Sequence, residues 1–265
     1  MDGWIYEDLE KIRGKKPLVH HITNWVTISD CASITRCLGA LPVMAHAREE
    51  VSEMASQASA LVLNIGTLDN GLIESMKIAG KSANRKGIPV VLDAVGVGAT
   101  SYRTGKANEL LKEIRIGIIK GNAGEIGALA GIKSEVIGVE SVSVDGEPKK
   151  IAFDFARKTG ATVVITGKTD FVSDGKRAFA VSNGHEMMGR IVGTGCMAAS
   201  AIGCFAAVER DYAKAAAAAL ACLGIAGEIA AKESRSYGSF KTRFFDAACN
   251  LDKKTISENA RISEV

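Results

Sequence analysis

Gly193-Thr194-Gly195-Cys196 runs straight into Met197-Ala198-Ala199-Ser200-Ala201-Ile202, an apolar stretch with helical character. Glycines at the mouth of a helix leave backbone N–H groups pointing outward, where the helix dipole favours negative charge. That is an anion hole suited to phosphoryl oxygens, with Gly193, Thr194, Gly195 and Cys196 as its candidate members. An ordinary glycine-bearing helix start reads the same way locally. Two carboxylates could serve the cation that accompanies phosphates. Asp93 closes a wholly apolar strand, a costly position for a charge without a partner, and Glu125 follows Lys120-Gly121-Asn122-Ala123-Gly124 at a strand-to-helix junction. Mg²⁺ takes one or two carboxylates together with waters and phosphate oxygens. A helix cap or a solvated charge is the plainer alternative for each.

Other patterns are imitated but not met. Gly193-x-Gly195-x-x-Ala198 has dinucleotide-turn spacing, but that fingerprint needs a following strand ending in Asp or Glu about 20 residues on, and helix follows here. Gly160 and the later Gly167-Lys168-Thr169 resemble a Walker A loop, but the residues between the glycines are too many and read as a strand. His20-His21 invites a metal reading. Adjacent strand residues point to opposite faces, which favours a structural role for at least one of them. Asn24, Met44 and His46 read as lining for a partly apolar pocket.

The elements that must position these residues alternate along the chain. Strands are predicted at 60–65, 88–93, 116–120 and 161–166, with helices near 70–86, 105–114, 122–131 and 148–159 and a helix-like stretch at 26–38. Near-continuous apolar strands are covered on both faces, which means a parallel sheet flanked by helices. Ligands collect beyond the carboxyl ends of such strands. Here those ends are the polar, glycine-bearing loops at 64–67, 93–99, 120–125 and 166–170. Phe171-Val172-Ser173, the turn Asp174-Gly175, and 177–181 read as a hairpin, and from Cys196 onward the chain is helical and rich in Ala and Gly. No linker or repeat divides residues 1–265, so a single domain is expected.

Composition excludes several classes. The net charge is +3 from 33 basic and 30 acidic residues, and the basic ones are scattered, so nucleic acid is not an expected partner. The first eight residues have neither the basic nor the apolar region of a signal peptide, and no run of about 20 uncharged apolar residues would span a membrane. The six cysteines include no C-x-x-C pair and complete no zinc site; several sit among alanines, where a free thiol packs as a small hydrophobe. The expected compartment is a reducing cytoplasm.

Taken together, these residues resemble the hydroxyethylthiazole kinase family of thiamine biosynthesis, within the ribokinase-like superfamily, over essentially the whole chain. The carriers are His21-Ile22-Thr23-Asn24, Asp93-Ala94-Val95-Gly96-Val97-Gly98-Ala99-Thr100, Lys120-Gly121-Asn122-Ala123-Gly124-Glu125, Asn183-Gly184-His185 and Gly193-Thr194-Gly195-Cys196-Met197. Superfamily relatives usually end the last motif in Asp; cysteine, here Cys196, is characteristic of the thiazole kinases. Ala94 departs from the family's usual Pro, and the polar tail after about Asn250 carries no assigned role. The resemblance implies a ribokinase-like α/β fold and Mg·ATP-dependent phosphorylation of 4-methyl-5-(2-hydroxyethyl)thiazole. It also implies a homotrimer with each thiazole site between subunits. By matched positions, Asn24, Met44 and Gly193 would contact the thiazole, and Lys120 and Thr166 would contact ATP, with Asn122 nearby. Asp93 and Glu125 would organise Mg²⁺, and Cys196 would sit beside the substrate hydroxyl. The alternatives are a hydroxymethylpyrimidine or pyridoxal kinase, or an ATP-dependent dehydratase of the same fold, for which Asp is expected at position 196. A non-catalytic metabolite-binding protein would need no Mg²⁺ carboxylates.

Overall fold

The apolar runs come together in one nine-stranded sheet. The computed structural model describes residues 3–132, 134–137 and 140–265. The sheet is built from β1 (Leu18–Ile22), β2 (Leu41–Val43), β3 (Ala60–Asn64), β4 (Val90–Asp93) and β5 (Ile118–Asn122), then β8 (Thr162–Thr166), β9 (Asp170–Ser173), β10 (Ala178–Val181) and β11 (Ile262–Glu264). Their order is β11-β10-β9-β8-β5-β4-β3-β1-β2. Neighbours from β2 through β8 run parallel, and the pairings from β8 outward to β11 are antiparallel. The predicted hairpin is therefore β9 and β10. A separate antiparallel ribbon, β6 (Ser134–Ile137) with β7 (Glu140–Val144), has no counterpart in the sequence reading.

Alternation along each strand sorts side chains to two faces. Leu61 and Leu63 join Leu92, Ile119 and Val163 on one face, under α3 (Val51–Gln57), α4 (Asn70–Lys86), α5 (Ser101–Glu113), α6 (Ala123–Ala130) and α7 (Pro148–Thr159). Val62 joins Val19, Val91, Ile118 and Val164 on the other, under α1 (Gly3–Lys15), α2 (Ile28–Cys37), α8 (Thr194–Ala206), α9 (Tyr212–Glu233), α10 (Tyr237–Cys249) and α11 (Lys253–Asn259). The sequence explains the helices locally. In α4, the buried Leu72, Ile73, Met76, Ala79 and Ala83 recur at helical spacing. Asp69 caps its start by accepting from the Leu72 N–H at 2.7 Å, and left-handed Gly87 ends it. Loss of the Asp69 cap costs about 1 kcal/mol. Helix α5 starts at Ser101, earlier than the predicted 105, because Thr100 caps it.

Small residues bring α8 and α9 close to the sheet. A Cβ on Gly203 would lie 2.5 Å from Val62 Cγ2, so α8 can rest on β3 only with glycine there. The alanines from Ala215 to Ala219 are all buried. Helix α9 is long and apolar enough to cross a membrane by length and composition, yet 83% of its apolar window lies inside the fold. The polar tail is ordered structure: β11 pairs with β10 as the sheet's last strand. The sulfurs of Cys37 and Cys249 meet where α2 and α10 end, while Cys31, Cys196, Cys204 and Cys222 have no sulfur partner.

Candidate active site

Strand register assembles the site. Asn64 pairs with Asp93 across β3 and β4, Asp93 with Lys120 across β4 and β5, and Asn122 with Thr166 across β5 and β8. Polar residues closing adjacent parallel strands therefore stand in a row at the sheet's carboxyl edge. Lys120 Nζ lies 3.0 Å from Asp93 Oδ1, and Asn64 Nδ2 donates to Asp93 Oδ2 at 2.7 Å. Asp93 is wholly buried beneath these partners rather than open to the cleft. Burial raises its pKa against the opposing pull of Lys120 and Asn64. Burial alone would lower that of Lys120, but the charges of Asp93, Glu125 and Cys196 outweigh it and hold the ammonium's pKa raised.

Helix α8 brings the anion-hole motif down onto this row. Gly193 adopts φ +101, left-handed backbone that glycine tolerates, and its carbonyl accepts the first helical bond, from the Met197 N–H at 2.8 Å. The N–H groups of Thr194, Gly195 and Cys196 thus precede any intrahelical acceptor. A Cβ on Gly195 would lie 3.1 Å from Lys120 Nζ, which puts the ammonium directly under the helix mouth. Lysine and helix N-terminus converge on one spot with positive character.

Beside that spot sits the Cys196 thiol. Its sulfur accepts from Asn24 Nδ2 and Asn64 Nδ2, each at 3.3 Å. Asn24 also donates to Asn64 Oδ1 at 3.0 Å and accepts from the Thr27 N–H at 3.0 Å, which locks its orientation. Burial and the Asp93 charge push the thiol's pKa up against Lys120 and the hydrogen bonds, so the sulfur stays protonated near neutral pH. Asn64 was not singled out from sequence, although it closes an apolar strand just as Asp93 does. The reasoning applied to Asp93 would have found it.

Glu125 serves a local structural role as well as facing the cleft. It forms a capping box with Asn122: Asn122 Oδ1 accepts from the Glu125 N–H at 2.9 Å, and Glu125 Oε2 accepts from the Asn122 N–H at 2.7 Å. Glu125 Oε1 accepts from the Gly96 N–H at 2.7 Å. Burial and Asp93 lift its pKa to about 7 despite Lys120 and these two N–H donors.

A cleft of about 1160 Å³ runs across the row. One end is lined by Asn24, Thr27, Gly66 and Thr67, the floor by Lys120, Glu125 and Cys196, and the other end by Thr166, Lys168, Asp170, Asn183 and His185. Most of the expected residues therefore meet here. Met44 is not among the described residues lining the cleft; it follows edge strand β2, and its carbonyl bonds His46 Nδ1 at 2.9 Å. His46 packs instead against the Trp25 ring, 4.7 Å between centroids. His20 and His21 are buried, with His20 Nε2 bonded to the Ala45 carbonyl at 2.8 Å and His21 driven by burial to a pKa of about 3. No cluster of three or more metal-ligating side chains exists among the described residues.

A mostly parallel sheet, a glycine-mouthed helix and a buried lysine beneath it make a site suited to phosphoryl groups, on a fold of the ribokinase-like class. The hydroxyethylthiazole kinase family model matches residues 9–254. The hydroxyethylthiazole kinase of Methanosarcina mazei is 56% identical over 257 residues, covering 97% of this chain and 98% of that one. The solved hydroxyethylthiazole kinase of Pyrococcus horikoshii superposes with a TM-score of 0.91 at 44% identity, over 99% of both chains. Pyridoxal kinase from Staphylococcus aureus, at 15% identity and a TM-score of 0.62 over 94% of this chain and 98% of that one, shares the fold. The chain belongs to the hydroxyethylthiazole kinase family.

Proposed function

We propose that this chain transfers the γ-phosphoryl group of ATP to the hydroxyl of 4-methyl-5-(2-hydroxyethyl)thiazole, in thiamine biosynthesis or salvage. It would act in the cytoplasm, with residues 1–265 as one catalytic domain. The observation that carries this reading is the meeting of Lys120 Nζ with the mouth of α8, with the Cys196 thiol beside it. Phosphoryl transfer passes through a loose transition state, so positioning and charge neutralisation dominate. Lys120 and the N–H groups of Thr194, Gly195 and Cys196 receive phosphoryl oxygens, with Gly193 shaping the turn. Thr166 contacts ATP, with Asn122 nearby. Asn24, whose amide is locked by Thr27 and Asn64, holds the alcohol's ring together with Gly193 and Met44.

The donor set fits Mg²⁺, since hard oxygen ligands suit it and it brings its own waters and phosphate partners. Glu125 would hold it from the cleft floor, and buried Asp93 would act from behind through Lys120 and Asn64. When bound, the ion neutralises charge on the phosphates. A protonated thiol is a poor base for an alkanol. Cys196 therefore orients the hydroxyl, whose proton leaves late, rather than removing it first.

Met44 does not line its own cleft, and apolar Trp25, Val26 and Val192 near the cleft's substrate end are 56%, 67% and 66% exposed. Both features support a homotrimer in which each site is completed by a neighbouring copy. The test is incubation with ATP, Mg²⁺ and candidate alcohols, followed by mass detection of the phosphorylated product. The thiazole phosphate should form well ahead of hydroxymethylpyrimidine or pyridoxal phosphates. Equal turnover of hydroxymethylpyrimidine would overturn the substrate while leaving the kinase class standing.

A further inference from the structure

Arg103 has no part in the reaction above, yet its guanidinium is committed beneath the cleft. It lies in the first turn of α5, where its N–H donates to Thr100 Oγ1 at 3.2 Å. Nη1 donates to the Ile65 carbonyl at 2.7 Å and the Val95 carbonyl at 3.1 Å; Nη2 donates to the Gly66 carbonyl at 2.8 Å. These carbonyls belong to the loops after β3 and β4. The first loop reaches the substrate end of the cleft. The Gly66 N–H donates to Asn64 Oδ1 at 2.9 Å, Asn64 holds Asp93 and Cys196, and Thr67 Oγ1 accepts from the Trp25 N–H at 3.1 Å. The second loop reaches the carboxylate floor, through the Gly96 N–H bonded to Glu125.

Carbonyl dipoles from two loops converge here and need several donors in a fixed arrangement. Guanidinium supplies them from one rigid plane, whereas a lysine ammonium is a compact point charge. We propose that Arg103 is a positioning residue that staples the loops after β3 and β4, keeping the alcohol's end of the cleft in register with the carboxylate floor. Its kinetic readout rests on the thiazole kinase reading.

The experiment compares wild type, Arg103→Ala and Arg103→Lys by steady-state kinetics with ATP and the thiazole alcohol. It adds amide hydrogen exchange of peptides spanning 64–67 and 94–98. Arg103→Ala should lower kcat and raise KM for the alcohol, by about 100-fold in kcat/KM, the scale set by a ~1 Å misplacement of reacting groups. KM for ATP should rise less than KM for the alcohol, because Arg103 reaches the nucleotide side only through the loop that carries the Gly96–Glu125 bond. Both loops should exchange faster, and Arg103→Lys should fall between the other two. If Arg103→Ala does not fold, Arg103→Lys carries the same comparison. Unchanged exchange in both loops overturns the staple, as does an equal rise of both KM values. If wild type phosphorylates no thiazole alcohol, the reaction reading fails, and the exchange comparison alone then decides the staple.

Discussion

Cys196 closes the Gly193-Thr194-Gly195 motif at the mouth of α8, and its surroundings explain how a thiol can serve there. Its half-buried sulfur is an acceptor for the Asn24 and Asn64 amides and lies near the Asp93 charge, so it is held as a neutral group. Cys196→Ala should therefore lose roughly 10–100-fold in kcat, the low end of what a general base contributes, rather than all activity. Cys196→Asp should keep turnover, with a raised KM for ATP because a fixed negative charge then faces the phosphates. A folded Cys196→Asp protein with no turnover would give the sulfur a role that its proton chemistry does not explain. Asp170, which lines the cleft beside Thr166, provides a pH signature. Burial lifts its pKa from 3.8 to about 7, against the Gly167 N–H and Lys120. A carboxyl that holds its proton more tightly folded than unfolded favours the folded state below the unfolded pKa. That contribution is lost as pH rises through the folded value. Wild type should thus lose thermal stability between pH 4 and about 7 more steeply than Asp170→Asn, as scanning calorimetry of both proteins across that range would read.

At the scale of elements, the proposed anion hole depends on the mouth of α8 resting directly over the Lys120 side chain of β5. Gly195→Ala adds a methyl 3.1 Å from Lys120 Nζ at a helical position that strains no backbone angle. The ammonium must give way. We expect a folded protein with a melting temperature close to wild type but with turnover down at least 10-fold, short of the ~10²–10³ that removing a preorganised donor outright costs. Wild-type kcat would mean that Lys120 does not work at the helix mouth. What made the sequence legible here was the apolar run: β3, β4, β5 and β8 are buried on both faces, so their ends and the polar residues closing them could be read directly. The glycines at 193 and 195 were legible because their chemistry needs no side chain. Arg103 was not, because its partners are backbone carbonyls, which any sequence supplies. Strand β11 was hidden in a polar tail, since an edge strand with one paired side has little apolar signature. Asp93 was legible as a carboxylate in need of a partner; that the partner is Lys120, opposite it on the next strand, is a matter of register that no local pattern encodes.

At the scale of the whole molecule, the proposed trimer makes each site a shared one. Met44 and Lys120 lie on the same chain, but only Lys120 lines that chain's cleft. If neighbouring copies exchange Met44, each site uses Lys120 of one protomer and Met44 of the next. Light scattering should then find a trimer, and dilution should remove trimer and activity together. Complementation is the sharper test. Lys120→Ala removes the ammonium proposed to face the phosphates, and Met44→Asp puts a charge where the thiazole ring should pack, so each variant alone should be nearly inactive. In mixed trimers, the intact Lys120 of a Met44→Asp protomer can meet the intact Met44 of a Lys120→Ala protomer, which rebuilds an unaltered site. Activity should therefore reappear on mixing, under conditions that allow subunits to exchange, and should rise with the fraction of mixed trimers seen by native mass spectrometry. Sites confined to single chains predict the opposite: mixed trimers form, every site still carries one lesion, and no activity returns.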